Sequence, residues 1–315
     1  MIVSEKEISK IVEHLKSQGL AALPTETVYG LAGNALKEEP ILSIFKLKNR
    51  PKFDPLIVHI KDVSELNKYA IQPIPKAASL LTQKYWPGPL TIVLPKTALI
   101  PDVVTSGLPF CAFRMPQHPL FQKILRQLDF PLAAPSANPF GYVSPTNAKH
   151  VAMNLDVPFI LDGGPAKHGL ESTIIGFVEK GKALLLRHGS IPHEEIDKLV
   201  PGLLDETSSK KSPQSPGQLD KHYATRKKLY LIEDLKSFKI KETDGLICFG
   251  HVPYQGKNVF NLSTNGDFIE AGKNLFSMLH LLDNHSGINQ IFALKLPNIG
   301  LGKAINDRLE RAEKN

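Results

Sequence analysis

Two cations one residue apart, Lys48 and Arg50, close an amphipathic segment over 40–48 and stand just before Pro51. At a helix end both can reach one polyphosphate, the lysine as a point charge and the arginine as a planar fork. The same pair would also compensate the carbonyl end of that helix. Pro135-Ser136-Ala137-Asn138 follows the apolar stretch 132–134. On an extended segment Ser-x-Asn puts a hydroxyl and an amide on one side, where they fix phosphate or carboxylate oxygens without adding charge. Ordinary turns use the same residue types. Arg114 adjoins the apolar run Phe110-Cys111-Ala112-Phe113, where a buried arginine needs a partner, a structural carboxylate being one. Thr25-Glu26-Thr27 sits where the apolar run 20–23 gives way to a loop. Functional residues collect in such places, although threonines there also cap helices. Trp86-Pro87-Gly88-Pro89 reads as a rigid structural turn.

The elements that must hold these residues follow from periodicity. Ser4 and Glu7 form a capping box ahead of Ile8, Ile11, Val12 and Leu15 at helical spacing, and Gly19 ends that helix. Strands are expected over 56–60, 90–94, 110–115, 132–134, 159–161, 172–178 and 183–186, alternating with amphipathic segments near 40–48, 76–85, 119–128 and 146–155. This is an α/β pattern, and because several strands follow one another directly the sheet should be mixed. Apolar periodicity stops between 204 and 228, where a Ser-, Pro- and Lys-rich linker is expected. A second unit follows, with strands over 229–232, 246–249, 259–262 and 291–296 and helices from 267 to 282 and from 302. It reads as a small three-layer α/β unit, and about 90 residues can fold alone.

Composition narrows the function. The chain has 315 residues, 42% hydrophobic and 22% charged, which excludes disorder, collagen and disulfide miniproteins. The uncharged stretch 130–148 holds four prolines and cannot be a continuous apolar helix, so no membrane span is expected. The amino terminus lacks a signal-peptide pattern, which makes the cytosol the expected compartment. Cys111 and Cys248 form no Cys-x-x-Cys pair and read as buried small hydrophobes. The net charge of +7 calls for an anionic partner. Residues 206–228 alone carry six Lys/Arg (Lys210, Lys211, Lys221, Arg226, Lys227, Lys228) against Glu206 and Asp220, which supplies +4 and leaves +3 for the rest. There is no Walker sequence, Gly300-Leu301-Gly302 lacks the third glycine of a dinucleotide fingerprint, and no His-Glu-x-x-His occurs. P-loop ATPases, dehydrogenases and zinc hydrolases therefore drop out.

Taken in order, the tracts resemble one family. Pro24-Thr25-Glu26-Thr27-Val28-Tyr29-Gly30-Leu31, Lys48-x-Arg50-Pro51, Pro55-Leu56-Ile57-Val58-His59, Trp86-Pro87-Gly88-Pro89-Leu90-Thr91, Arg114-Met115-Pro116, Pro135-Ser136-Ala137-Asn138 and Glu171-Ser172-Thr173 are similar to those of the YrdC/Sua5 threonylcarbamoyl-AMP synthases. Ser215-Pro216-Gly217, His222-Tyr223-Ala224 and Gly300-Leu301-Gly302-Lys303-Ala304-Ile305-Asn306-Asp307-Arg308-Leu309 are similar to the linker and C-terminal domain of the long Sua5 form. The chain departs from the family at Thr225, usually proline, and at Phe140, where a small residue is more usual.

The resemblance implies a YrdC-like catalytic domain over 1–205 with a twisted mixed sheet and flanking helices, a linker or lid over 206–228 and a small Rossmann-like Sua5-type domain over 229–315. It implies the conversion of L-threonine, bicarbonate and ATP to L-threonylcarbamoyl-adenylate and pyrophosphate. The product feeds N6-threonylcarbamoylation of adenosine 37 in tRNAs that read codons beginning with A. On the family pattern Lys48, Arg50, Ser136 and Asn138 serve catalysis and the triphosphate, joined on the ATP side by Ser144, Arg187 and Tyr223. Arg114 is expected at the threonine carboxylate, with Thr27, His59, Ser172 and Thr173 as further polar contacts, while His59 also reads as a satisfied structural histidine. Mg2+ is expected to bridge the phosphates without a cage of protein side chains, and downstream t6A-transfer proteins are expected partners. A lid would shield a labile carbamate and a mixed anhydride from water.

Two other classes compete. A double-stranded RNA or tRNA-binding module would use the basic linker for salt-sensitive, sequence-indifferent contacts. No aromatic-rich RNA platform is visible, so tRNA contact is expected to be weak or indirect. The carbamoyl-transferring relative in hydrogenase maturation carries zinc-finger cysteines and an acylphosphatase-like module, for which two cysteines and this length leave no place.

Overall fold

The computed structural model describes residues 1–178, 181–207, 222–235, 240–252 and 256–314. Eleven strands make one sheet in the order Ile2–Val3, Phe159–Leu161, Ala21–Leu23, Gly30–Asn34, Leu132–Ala133, Ile57–His59, Phe110–Arg114, Leu90–Pro95, Thr173–Phe177, Ala183–Arg187 and Leu204–Asp205. The sheet is mixed: Ile57–His59 lies parallel to Phe110–Arg114, which runs antiparallel to Leu90–Pro95, itself parallel to Thr173–Phe177. Helices cover both faces. Ile8–Lys16 buries Ile8, Ile11, Val12 and Leu15 against Leu23, Phe121 and Leu128, behind the Ser4–Glu7 capping box. Glu38–Lys48 buries Ile41, Ile44 and Phe45 on the other side with Tyr29, Leu31 and Val58.

Sequence patterning located most of these strands to within a residue or two and omitted three: the two-residue strands Ile2–Val3 and Leu204–Asp205, too short to show a period and the latter placed in the expected linker, and Gly30–Asn34. Gly30–Asn34, Gly-Leu-Ala-Gly-Asn, lacks the β-branched and aromatic residues that announce a strand. Its glycines answer to close packing instead: a Cβ on Gly33 would lie 2.8 Å from Leu20 Cδ2 and 3.2 Å from Pro40 Cβ. The helix expected over 146–155 is only Ala148–Ala152, with the Asn147 side chain accepting from the His150 amide at its start.

The C-terminal unit is an all-parallel sheet in the order Lys228–Ile232, Gln290–Leu294, Asp244–Cys248 and Val259–Asn261. Its long helices, Phe268–Asn284 and Leu301–Glu313, both pack on the face formed by Leu229, Ile247, Ile291 and Ala293. The opposite face, Leu246, Cys248 and Phe292, is covered by Leu235, Ile240 and Val252 from the connections. Among the described residues this corrects the three-layer expectation: both helices serve one face and loop side chains close the other. Both cysteines are buried and free.

The two units share an interface built on helix Phe268–Asn284. Tyr142 donates to Asp283 Oδ2 at 2.6 Å, Thr146 and Ser277 hydroxyls meet at 2.9 Å, and the His150 and His280 rings stack at 4.0 Å. Gly272 admits Leu170 at this crossing, since a Cβ there would lie 2.9 Å from Leu170 Cδ1. Arg226 reaches Asn154 and Asn284, and Lys227 donates to the carbonyls of Leu282 and His285. These linker cations dock the chain onto the helix end rather than forming an open basic surface; Lys210, Lys211 and Lys221 lie outside the described residues.

Candidate active site

Strand Phe110–Arg114, the loops at neighbouring strand ends and helix Leu301–Glu313 bring three arginine–carboxylate pairs to one cavity. Arg114 ends its strand beside His59 on one side and Thr91 on the other. Its Nη2 meets Glu26 Oε1 at 2.6 Å, its Nε donates to the Gly88 carbonyl at 3.3 Å, and Glu26 Oε2 accepts from the Gln117 amide. The buried arginine thus has the carboxylate partner its setting demands, and among the described residues its Nη1 carries no hydrogen bond. Burial raises the Glu26 pKa, but the Arg114 charge and hydrogen bond outweigh it and hold the carboxyl below its ordinary range. Thr25 is not a helix cap: its hydroxyl donates to the Val28 carbonyl at 2.6 Å and meets Thr27 Oγ1 at 2.8 Å, a turn that sets Thr27 on the cavity wall. His59, also on the wall, is driven down to about 3 by burial and then by Arg114, so its ring is neutral. His59 Nδ1 is buried without a hydrogen-bond partner among the described residues.

The second pair is Arg50–Asp54, 2.8 Å apart, with Arg50 also donating to the Asp54 and Pro55 carbonyls. Arg50 lines the cavity, whereas Lys48 does not. Asn49, in the left-handed conformation with φ 51°, turns the chain between the two cations. Lys48 therefore lies behind the Ser136–Asn138 turn and donates to the Ser136 carbonyl at 2.5 Å and to that of Asn138. Burial, then Arg50, presses the Lys48 pKa well below its usual value. The expected same-side display of Ser136 and Asn138 also changes. The chain bends, with the Asn138 amide donating to the Ser136 carbonyl at 3.0 Å. Ser136 stays on the wall while Asn138 Nδ2 ties its own loop to Pro139 and Tyr142.

The third wall carries Glu171, Ser172 and Arg187. Arg187 donates to the Ser172 carbonyl and hydroxyl, and Ser172 Oγ meets Thr91 Oγ1 at 2.7 Å. Thr173 turns away, because strand side chains alternate; its hydroxyl exchanges hydrogen bonds with the Ile191 backbone. Ser144 lies behind Glu171, donating to Oε1 at 2.7 Å. Glu171 Oε2 takes the guanidinium of Arg308 from the C-terminal unit.

His222 and Tyr223 complete the wall. Tyr223 holds φ 64°, stacks on Phe276 of the C-terminal unit at 5.4 Å and has Arg308 over its ring at 5.5 Å. Phe140, the bulky departure from the family pattern, lies edge-on to His222 at 6.1 Å. The Ala224 amide donates to the Gly141 carbonyl at 2.6 Å, so residues 222–224 are fastened to the 138–144 loop. Burial, then Arg50, Lys48 and Arg187, push the His222 pKa far down, and burial pushes Tyr223 up to about 12. The remaining linker tract, Ser215-Pro216-Gly217 included, lies outside the described residues.

The cavity, partly open to solvent, has a volume of about 50 Å³. Thr27, Arg50, His59, Arg114, Ser136, Ser172, Arg187 and Tyr223 share it, while Lys48, Asn138, Ser144 and Thr173 stand in the layer behind. Sequence reasoning missed Asp54, His222 and Arg308 as parts of the site. The i,i+4 spacing of Arg50 and Asp54 was a usable signal; the pairing of Arg308 with Glu171, 137 residues apart, left none. Among the described residues no group of three His, Cys, Asp or Glu gathers to hold a metal. Glu26, Asp54 and Glu171 are each engaged by an arginine. This wall suits a cation that arrives on a polyphosphate, held by phosphate oxygens and water.

Two families match the sequence. Residues 13–189 match the Sua5/YciO/YrdC family, described as telomere recombination, and residues 191–313 match the threonylcarbamoyl-AMP synthase C-terminal domain. The threonylcarbamoyl-AMP synthase of Pyrococcus abyssi is 36% identical over 98% of this chain and 95% of its own length, and that of Bacillus subtilis 35% identical over 98% and 93%. The crystal structure of P. abyssi Sua5 complexed with L-threonine superposes with a TM-score of 0.90 at 34% identity, covering 100% of this chain and 98% of that one. No helix among the described residues is long and apolar enough to cross a membrane.

Proposed function

The chain belongs to the Sua5 family of threonylcarbamoyl-AMP synthases, nucleotidyltransferases of tRNA modification, and from that premise we propose that its cavity joins L-threonine, bicarbonate and ATP into L-threonylcarbamoyl-adenylate and pyrophosphate. The observation that carries this reading is the convergence of Arg50, Arg114 and Arg187 on one cavity wall with hydroxyls between them. The RNA-binding alternative has no matching support.

Threonine's carboxylate is assigned to the Nη1 edge of Arg114. Thr27, Ser172 and the neutral His59, whose Nδ1 lacks a partner, take its hydroxyl and amine. The triphosphate is assigned to Arg50, Arg187, Ser136 and Tyr223. Lys48, Asn138 and Ser144 support that side from behind; the Lys48 ammonium, whose charge burial now penalises, is favoured by an arriving polyanion. Thr173 acts by fastening Ile191 rather than by touching substrate. Mg2+, when it enters with the nucleotide, supplies neutralisation of phosphate charge.

The chemistry has two steps. The amine of threonine attacks CO2 and releases a proton as the carbamate forms; from bicarbonate the same C–N bond forms as a C–O bond breaks, the hydroxide leaving with the amine's proton as water. A carbamate oxygen then attacks the α-phosphorus while its bond to the bridging oxygen breaks and pyrophosphate leaves. Neither step needs a covalent enzyme nucleophile; both need alignment and neutralised charge in a dry site. His222 and Tyr223 supply the dryness by closing the wall. In this division residues 1–205 carry the reaction, 206–228 form the lid and 229–315 hold the lid down. The reaction is placed in the cytosol, with downstream t6A-transfer proteins as recipients and tRNA contact weak or indirect.

The division is tested by a kinetic split. Arg114→Ala should raise KM for threonine far more than KM for ATP, and Arg187→Ala the reverse. Equal effects of both substitutions on both substrates would refute the assignment.

A further inference from the structure

Glu171 is awkwardly placed for the reaction proposed above. It lines the cavity, it is 6% exposed, and in the proposed reaction the cavity takes threonine, bicarbonate and ATP, each of which brings negative charge. Both its oxygens are engaged from behind: Oε1 accepts from Ser144 at 2.7 Å, and Oε2 accepts from Nε and Nη2 of Arg308, each at 3.1 Å. Arg308 belongs to helix Leu301–Glu313 of the C-terminal unit and is 0% exposed. Its Nη1 is held by Asp307 at 3.1 Å, and Asp307 is held in turn by Arg311 at 2.8 Å, so the guanidinium is fixed in direction. The first two carboxylates of the cavity are neutralised by arginines of their own unit, Arg50 and Arg114. The third receives its direct ion-pair partner from the other unit.

We propose that Arg308 is a positioning residue of the synthase reaction, supplied by the C-terminal unit to cancel the charge of Glu171 and so admit anionic substrates to the cavity. This rests on the cavity being the ATP and threonine site. A carboxylate left unpaired on a low-dielectric wall repels a polyphosphate strongly, because little water screens it. Arg308 therefore acts on substrate affinity through Glu171, without touching substrate.

Charge and packing roles give different results. In the full-length chain, Arg308→Met should raise KM for ATP on the order of tenfold or more, with a smaller change in kcat. Adding Glu171→Gln to that variant removes the unpaired charge and should bring KM most of the way back. Arg308→Lys, which keeps the charge, should lie near wild type. Lowering pH should also relieve the Arg308→Met defect relative to wild type, since among the described residues Glu171 then keeps Arg187 and the Ser144 hydroxyl, but not Arg308, to favour its charged form and is more readily protonated.

A double variant no better than Arg308→Met, or a loss confined to kcat at every pH, would overturn the proposal. If Arg308→Met does not fold, Glu171→Gln alone decides: an unchanged or lowered KM for ATP supports charge cancellation, and a raised KM refutes it. Wild-type protein without threonine-dependent pyrophosphate release would overturn the reading of the cavity itself, and this proposal with it.

Discussion

The two sheets treat their buried polar groups in opposite ways. In the eleven-stranded sheet Glu26, Arg50, Asp54, His59, Arg114, Glu171 and Arg187 are buried around one cavity. In the four-stranded sheet the carboxyl ends of the strands, where open parallel sheets usually receive ligands, are laced shut by asparagines. Asn306 accepts from the Leu296 amide and donates to its carbonyl, Asn274 donates to the Leu262 carbonyl and Asn261 to that of Gly250. Charge collected around a space makes a site; amides returned to nearby backbone make a scaffold. The C-terminal unit meets the cavity wall through Arg308 on Glu171 and Phe276 under Tyr223.

The largest effect should come from the first region. Arg50→Ala or Arg114→Ala leaves Asp54 or Glu26 as a buried unpaired carboxylate, costing roughly 3–5 kcal/mol of stability. Loss of pyrophosphate release should reach on the order of 10³-fold; wild-type turnover in both variants would show that the cavity has been misread. Next, a chain lacking residues 206–315 loses His222, Tyr223 and Arg308 together, and turnover should drop by about 10²-fold or more. An undiminished truncation would erase the functional coupling of the regions.

Acid should loosen the interface between them. His150 is lowered to about 3 by burial and then by its neighbour His280, which burial lowers to about 4. Both are neutral when folded, while the unfolded chain takes up their protons near pH ~6.5. Their contribution to stability is intact above that value and is lost as pH falls through the window toward the folded values. Denaturant midpoints measured at decreasing pH should show this decline, and His150→Gln should make it shallower; an identical decline in the variant would exclude the pair as its cause. The smallest effect is expected from Asn306→Ala, about 1–3 kcal/mol less stable by denaturant unfolding, with KM for ATP and threonine unchanged. A shifted KM would mean that the scaffold reaches the site by a further route.

Most of the fold was readable because apolar periodicity and breakers act locally. Asp267 starts its helix by accepting from the Ile269 and Glu270 amides, and Leu229, Leu231, Ile247 and Ile291 alternate with partners on the opposite face. The Gly30–Asn34 strand escaped because its residues are chosen for close approach, not for strand propensity. At the site, residue types were legible and directions were not. Lys48 and Arg50 look equivalent in sequence, yet the left-handed Asn49 sends one to the cavity and the other behind it. Ser172 and Thr173 are split by strand alternation in the same way. The Glu171–Arg308 pair depends on the docking of two units and has no local trace.

The most direct measurement is pyrophosphate release from ATP by the purified full-length chain, with threonine and bicarbonate supplied singly and together. Release that requires both, matched by one threonylcarbamoyl-adenylate per pyrophosphate, is the expected result. ATP turnover indifferent to threonine would contradict the central claim.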